Sequence, residues 1–199
     1  MNINEIDITK SVSYFDPSAV TTRKLLGKRT YPFHIVECVE KEVRVRKKYK
    51  ARVFNLKLEV APECAEREYE DDNGNTISGK AFVRHKVSSS GIFLFLNPQE
   101  GDDFESNNGG NESYLSFCSA LGHKAEEVEI EVDGEKRKVM QFPTLGKDDI
   151  IMKPILAYCD FESWTSPRDG KQYTTIKAKT FKLWEEGKDL EVKDEDLPF

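Results

Sequence analysis

The segment Phe54-Asn55-Leu56-Lys57-Leu58-Glu59-Val60 alternates apolar and polar side chains at every position. A period of two places the apolar side chains on one face of an extended chain, so the segment predicts a half-buried β-strand. Upstream of it, apolar residues again share one parity, at Tyr31, Phe33, Ile35, Val39, Val43 and Val45. These positions predict a second long strand that precedes the first.

Shorter apolar segments follow in the chain. Residues 81–87 and 91–96 predict two more strands, separated by a serine-rich turn. Residues 97–112 hold almost no apolar side chain and predict a loop. Ser113 is a candidate N-cap for a short helix that Gly122 would end, with an apolar face made of Tyr114, Leu115, Phe117, Cys118 and Leu121.

The last third of the chain predicts strands only. Residues 126–142 predict a β-hairpin, because Asp133-Gly134 suits a primed two-residue turn between two alternating segments. Two final strands are predicted over 149–161 and 171–184, with a polar loop at 162–170 between them. Pro154 indicates a bulge or an edge position in the first of these strands.

The predicted order is two long strands, one or two shorter strands, a helix, and two more strands. This is the order of the OB-fold, a mainly β, five-stranded Greek-key barrel with a helix between its third and fourth strands. The hairpin at 126–142 would be an insertion, and an open β-sandwich would give a similar order. The predicted divisions are an N-terminal extension at 1–28, an OB-fold domain at 29–184 and an acidic tail at 185–199.

The net charge of −6 is concentrated near the end of the chain of 199 residues. Residues 185–199 carry seven acids and two lysines, so the rest of the chain is close to neutral. With few apolar side chains, this tail is expected to be disordered. No apolar run is long enough for a membrane helix and no secretory signal is readable, so we expect a cytoplasmic protein.

The sequence gives little support for catalysis or metal binding. The four cysteines are widely spaced and predict reduced, mostly buried thiols. A zinc site built from Cys64, His85, Cys118 and Cys159 stays open, although no ligand spacing favours it. The three histidines lie in no nucleophile motif and no phosphate-binding loop is present. We therefore expect no catalytic residues, no metal and no cofactor, and a protein that is not an enzyme.

Cationic and aromatic residues gather in two predicted loops. The loop between the first two strands holds Arg44, Arg46, Lys47, Lys48, Tyr49, Lys50 and Arg52. The loop between the last two strands and the start of the final strand hold Trp164, Arg168, Lys171 and Tyr173. In an OB-fold these two loops flank the nucleic-acid groove, where cations bind phosphates and aromatic rings stack on bases. A solubilising hairpin tip and a tryptophan that covers the core are the alternatives.

The chain ends in acids followed by an apolar residue, proline and phenylalanine: Asp194, Glu195, Asp196, Leu197, Pro198 and Phe199. This ending resembles the C-terminal tip of bacterial single-stranded DNA-binding proteins. The stretches 54–60, 120–122 and 169–173 are similar to phage-encoded OB-fold single-strand binders. The 97–112 loop and the 126–142 hairpin depart from the compact bacterial barrel, so a subunit stoichiometry is not carried over.

The resemblance and the loop chemistry together predict a single-stranded DNA-binding protein of phage DNA replication or recombination, in the host cytoplasm. It would coat strands without base specificity and recruit a polymerase, helicase or nuclease through its tail, as a possible homo-oligomer. One alternative is a strand-annealing or recombination-mediator protein on the same fold. Another is a protein-interaction module that binds no nucleic acid.

Overall fold

The computed structural model describes residues 25–46, 49–71, 73–96, 109–132 and 134–190. Most of the predicted N-terminal extension, most of the predicted 97–112 loop and the last nine residues of the predicted tail lie outside the described residues. The described part forms one α-helix, α1 (Glu112–Ala120), and ten strands: β1 (Arg29–Val45), β2 (Tyr49–Val60), β3 (Glu68–Glu70), β4 (Thr76–Ser78), β5 (Lys86–Ser89), β6 (Ile92–Phe95), β7 (Glu126–Val132), β8 (Glu135–Gln141), β9 (Pro154–Thr165) and β10 (Gln172–Lys182).

Five strand positions close into a barrel. β1 and β2 form a long antiparallel hairpin. β5 pairs with the C-terminal half of β2 and β6 with its N-terminal half, so together they act as one broken third strand. β10 runs parallel to β5 and antiparallel to β9, and β9 pairs with β1 to complete the ring. With α1 between the third and fourth positions, the prediction of an OB-fold-like barrel is confirmed.

A β-bulge divides β1 into two parts. Odd-numbered side chains point into the core before the bulge and away from it after the bulge. The register with β2 slips between Ile35 and Glu37, which leaves one extra residue in β1. An extra residue exchanges the two faces of everything after it. Cys38 therefore packs against the core, while Val39 is 38% exposed. The prediction of one apolar face through Val39 and the two valines beyond it is wrong for this reason.

Smaller differences from the prediction have local causes. The predicted strand at 81–87 is only a strand from Lys86, because Gly79–Ala81 forms a 3-10 turn and Arg84 adopts a positive φ of 62°. Residues 149–153 form turns, and Pro154 is the first residue of β9, a position where its missing N–H is tolerated. Asn111, not Ser113, is the N-cap of α1.

Aromatic and aliphatic side chains from every barrel strand fill the interior. Tyr31, Phe33 and Ile35 of β1 are fully buried, as the sequence predicted for this half of the strand. The apolar side of α1 closes one side of the core, where the rings of Phe117 and Phe181 meet edge to face at 5.4 Å. Burial of such side chains stabilises the fold by about 1.5–3 kcal/mol each.

The two residues after β10 and the first six residues of the predicted tail form a C-terminal strap, residues 183–190, on the barrel. The buried His34 ring donates a hydrogen bond from Nε2 to the carbonyl oxygen of Lys188 at 2.9 Å, and the Trp184 ring lies 6.0 Å away. The backbone N–H of Leu190 donates to the carbonyl oxygen of Met152 at 3.0 Å. The barrel therefore extends past the predicted boundary at residue 184, up to Leu190.

The cysteines carry no cross-link or metal cluster in the described residues. All four are free thiols, and Cys64, Cys118 and Cys159 are buried, as predicted. No three His, Cys, Asp or Glu side chains of the described chain lie together as a metal site, so these cysteines and His85 do not assemble. No helix in the described ranges is long and apolar enough to cross a membrane.

Candidate nucleic-acid interface

The strand register defines which side chains lie on the outside of the barrel wall. Lys57 of β2 is opposite Ser88 of β5, which is opposite Lys177 of β10, which is opposite Asp160 of β9. Residues directly opposite one another in a sheet point to the same side. Since Leu56 and Leu58 point into the core, this row points outward. We call the outward side of β2, β5, β6 and β10, with the paired parts of β1 and β9, the outer face.

Three aromatic rings form a cluster at one end of the outer face. Phe93 and Phe95 of β6 lie opposite Val53 and Ala51 of β2, and Tyr49 has the same parity as these two residues. The Phe93 and Phe95 rings stack at 6.2 Å with planes 24° apart, and the Tyr49 ring meets Phe95 edge-on at 6.4 Å. We call Tyr49, Phe93 and Phe95 the hairpin cluster.

The position of Phe95 is fixed by its neighbours. Its backbone N–H donates to Asn111 Oδ1 at 2.7 Å, and Asn111 Nδ2 donates to its carbonyl oxygen at 3.2 Å. Gly110 lies directly on the ring, so that a Cβ there would be 2.7 Å from Phe95 Cδ2. Asn111, the N-cap residue of α1, therefore fixes the position of Phe95 in the hairpin cluster. Its side chain makes these two hydrogen bonds and donates or accepts none within the first turn of the helix.

Two further aromatic rings stack at the other end of the outer face. β9 and β10 continue beyond the barrel as a two-stranded ribbon, in which Trp164 is directly opposite Tyr173. The two rings stack at 5.3 Å with planes 25° apart, and the residues are 47% and 43% exposed. We call them the ribbon pair. The alternative that Trp164 covers the core is wrong.

The turn at the end of the ribbon orients the ribbon pair. The Tyr173 hydroxyl donates a hydrogen bond to Asp169 Oδ2 at 2.8 Å, and the Lys171 backbone N–H donates to Oδ1 at 3.2 Å. Hydrogen bonds from Ser166 first, and then from Tyr173, lower the pKa of Asp169, while the same contact raises the pKa of Tyr173. Asp169 stays ionised and holds the Tyr173 ring in place.

The cations predicted between β1 and β2 lie mostly on the other side of the hairpin. Arg44 is opposite Lys50, and both share a face with Arg52, away from Tyr49. Arg52 forms an ion pair with Glu40, which raises the pKa of the guanidinium, and lies over the Phe54 ring at 5.5 Å. The line of cations read from parity is therefore interrupted by acids, because pairing with β1 brings Glu40 and its neighbours alongside.

Other cations lie on the outer face or at its ends. Lys41 is opposite Val53, and Lys57 and Lys177 belong to the outward row. Arg168 and Lys171 are exposed at the ribbon turn, and Arg46 is exposed in the β1–β2 turn with a positive φ of 51°. Lys47 and Lys48 lie outside the described residues. The sequence alone did not indicate four residues of the outer face: Lys41, Phe93, Phe95 and Lys177. Their outward orientation follows once the partner strand and its register are known.

Ion pairs hold the middle of the outer face. Lys57 Nζ lies 2.7 Å from Glu37 Oε2, and Lys179 Nζ lies 3.1 Å from Glu162 Oε2. The Glu162 carboxylate also accepts a hydrogen bond from Ser90 Oγ at 3.0 Å, and these two contacts lower its pKa. Since these pairs are exposed, each contributes little to stability and can be exchanged for a phosphate contact.

The predicted partner-binding residues, Asp194 to Phe199, lie outside the described residues. Comparisons of the chain with protein-family models, with curated proteins and with solved structures found no match. The candidate site therefore rests on the residues and geometry of this chain.

Proposed function

We propose that the chain is a sequence-independent single-stranded DNA-binding protein and that the strand lies across the outer face. The observation that carries this proposal is the placement of the hairpin cluster and the ribbon pair on one side of one barrel wall. Aromatic rings stack on any base, and each stacked base contributes about 1–3 kcal/mol. Cations at both ends and between them supply phosphate contacts.

Unpaired strands suit this surface better than a duplex does. The base faces that a ring can stack on are covered inside a double helix, and sequence reading of a duplex uses the major groove. The single α-helix of the described chain buries Tyr114, Phe117 and Cys118 in the core, so its apolar side is not available to a groove. The negative net charge does not oppose binding, because the electrostatic contribution depends on the local phosphate contacts.

The tail completes the proposal. Asp194 to Phe199 would recruit replication or recombination proteins, because an aromatic ring that follows several acids suits an apolar pocket beside basic residues, and the acids steer the encounter. The C-terminal strap holds the chain on the barrel up to Leu190, so the nine residues after it leave from a defined position. Removing residues 194–199 should abolish partner binding and leave the affinity for DNA equal or higher.

A binding titration tests the function and the face together. Oligo-dT and a matched duplex are titrated at low and high salt, with tryptophan fluorescence and gel shift as readouts. We expect tight binding of the single strand only, with an affinity that falls steeply as salt rises. Lys41→Glu, on the outer face, should weaken binding more than Arg44→Glu, on the opposite face of the same strand. Failure of both nucleic acids to bind at low salt would leave a protein-interaction module.

A further inference from the structure

We infer that one strand is held at two separated aromatic anchors, the hairpin cluster and the ribbon pair, with no base stacking between them. This inference rests on the proposed function and specifies the ligand: a single strand long enough to reach both anchors. It follows from the strand register, which gives the direction and the number of residue steps from the middle of the outer face to each anchor.

The two anchors lie in opposite directions from the outward row of Lys57, Ser88 and Lys177. Along β2, Val53 and its partner Phe93 are four residue steps from this row, and Tyr49 is eight steps from it in the same direction. Along β10, the ribbon pair is four steps away. β2 and β10 run antiparallel, since β5 is antiparallel to β2 and parallel to β10, so the two displacements point apart.

The register converts to a length. A strand rises about 3.3 Å per residue, so the nearest rings of the two anchors are about 26 Å apart along the wall, and the farthest are about 40 Å apart. A stacked strand rises about 3.4 Å per nucleotide and a stretched one roughly twice that, so about 4 to 8 nucleotide steps, or about 5 to 9 nucleotides, are needed to touch the nearest rings of both anchors. This lies within the range of about 4–16 nucleotides that OB-folds occupy.

On β2, β5 and β10, the part of the wall between the anchors offers cations, hydroxyl groups and ion-paired acids but no ring in the described residues. The outward ring of Tyr158 lies beside this part, on β9. The outward side chains on this part of the three strands include Asn55, Lys57, Lys86, Ser88, Thr175 and Lys177, with Glu37, Glu59 and Glu162 beside them in ion pairs. They can bind phosphates and leave the bases unstacked. The bound strand is therefore expected to tolerate the loss of central bases and to be sensitive to the loss of bases at its two ends.

The anchors are built to hold their rings without the ligand. Asp169 fixes the Tyr173 ring on one side, and Asn111 fixes the backbone of Phe95 on the other. Binding at the second anchor is then intramolecular and requires little ordering of the protein. The DNA between the two contacts acts as a linker. A strand that reaches both anchors gains up to about 10²–10⁴-fold in affinity, and a strand too short to reach both gains nothing.

A length series tests the two-anchor arrangement. The full chain is titrated at low salt with labelled oligo-dT of about 4 to 16 nucleotides, followed by fluorescence anisotropy. We expect the affinity to rise by tenfold or more as the length passes about 5 to 9 nucleotides, and then to level off. In Trp164→Ala the rise should vanish, so that long strands bind no more tightly than short ones. Phe161→Ala, an exposed ring on the opposite face of the ribbon, should keep the rise.

Abasic substitutions give a second readout. A strand of about 12 nucleotides with abasic sites at its centre should bind within about twofold of the intact strand, whereas abasic sites at both ends remove at least two stacked bases and should weaken binding by at least about 30-fold. A smooth increase with length that Trp164→Ala lowers equally throughout would overturn the inference and leave the proposed function standing. Two long strands bound per chain would overturn it as well. Binding of no strand at any length would reject the proposed function itself.

Discussion

Gly110→Ala is expected to disturb the hairpin cluster through a single added methyl group. A Cβ at this position would lie 2.7 Å from Cδ2 and 2.9 Å from Cε2 of the Phe95 ring, about 0.7 Å inside ordinary contact. The backbone of Phe95 cannot retreat, because Asn111 binds both its N–H and its carbonyl oxygen. The ring itself must therefore turn away from its present position on the outer face.

The displaced Phe95 ring should lower both the thermal stability and the affinity for oligo-dT. Forcing a methyl group into an occupied space costs about 1–3 kcal/mol, and about 2–4 °C of Tm accompanies each kcal/mol in a domain of this size. We therefore expect the Tm to fall by about 2–12 °C. If Phe95 stacks on a base, its displacement should also weaken oligo-dT binding by about 1–3 kcal/mol, which is about 5- to 150-fold.

Thermal unfolding by circular dichroism and oligo-dT titration measure the two effects separately. Gly27→Ala is the matched control, since its nearest atoms would be 3.9 Å from the added Cβ, and neither quantity should fall. A variant whose Tm falls while its affinity stays at the wild-type value would show that Phe95 is not a DNA contact. An unchanged Tm would refute the clash on which the reasoning rests.

Three other changes have defined outcomes. Trp164→Ala should weaken oligo-dT binding by about 1–3 kcal/mol without changing the salt slope, because no charge is lost, and an equal loss in Phe161→Ala would argue against stacking by the ribbon pair. Asp169→Asn removes the carboxylate charge, and with it the ionised acceptor that raises the pKa of Tyr173. The Tyr173–Asp169 contact stabilises below the ordinary tyrosine pKa and is lost as the pH rises through the raised one, so tyrosinate absorbance should appear at lower pH in the variant than in the wild type. Gly79→Ala would overlap a backbone carbonyl group, and we expect a loss of more than about 3 kcal/mol, measured by denaturant unfolding.

The sequence predicted the barrel because its strands carry period-two patterns of sufficient length. β2 alternates without interruption from Phe54 to Val60, and the β1 segment before the bulge places three side chains in the core. The bulge itself leaves no pattern, since Val36 is as apolar as the buried Ile35 before it and the slip shows only when β2 is aligned beside β1. The alternation of a strand therefore assigns side chains to the correct face only as far as the first bulge, here at Val36.

The candidate site was predicted in part for a related reason. Trp164 and Tyr173 were found because the sequence predicts a polar loop at 162–170, in or beside which an aromatic ring has few local contacts, although both residues are in paired strands in the structure. Phe93 and Phe95 were missed because an apolar strand segment predicts core. Their outward position depends on pairing with Val53 and Ala51, which sequence periodicity alone does not specify.

Closure of the barrel has a consequence for how the chain is made. Phe33 of β1 pairs with Ile155 of β9, which is synthesised more than 100 residues later. Until then, one edge of β1 has no partner strand. Contacts this distant slow folding, and an unpaired strand edge is prone to pair with another chain. The C-terminal strap delays completion further, to Leu190. A chain truncated before Pro154 lacks β9 and leaves that edge of β1 unpaired. We expect such a chain to aggregate, even though its β1–β2 hairpin can form.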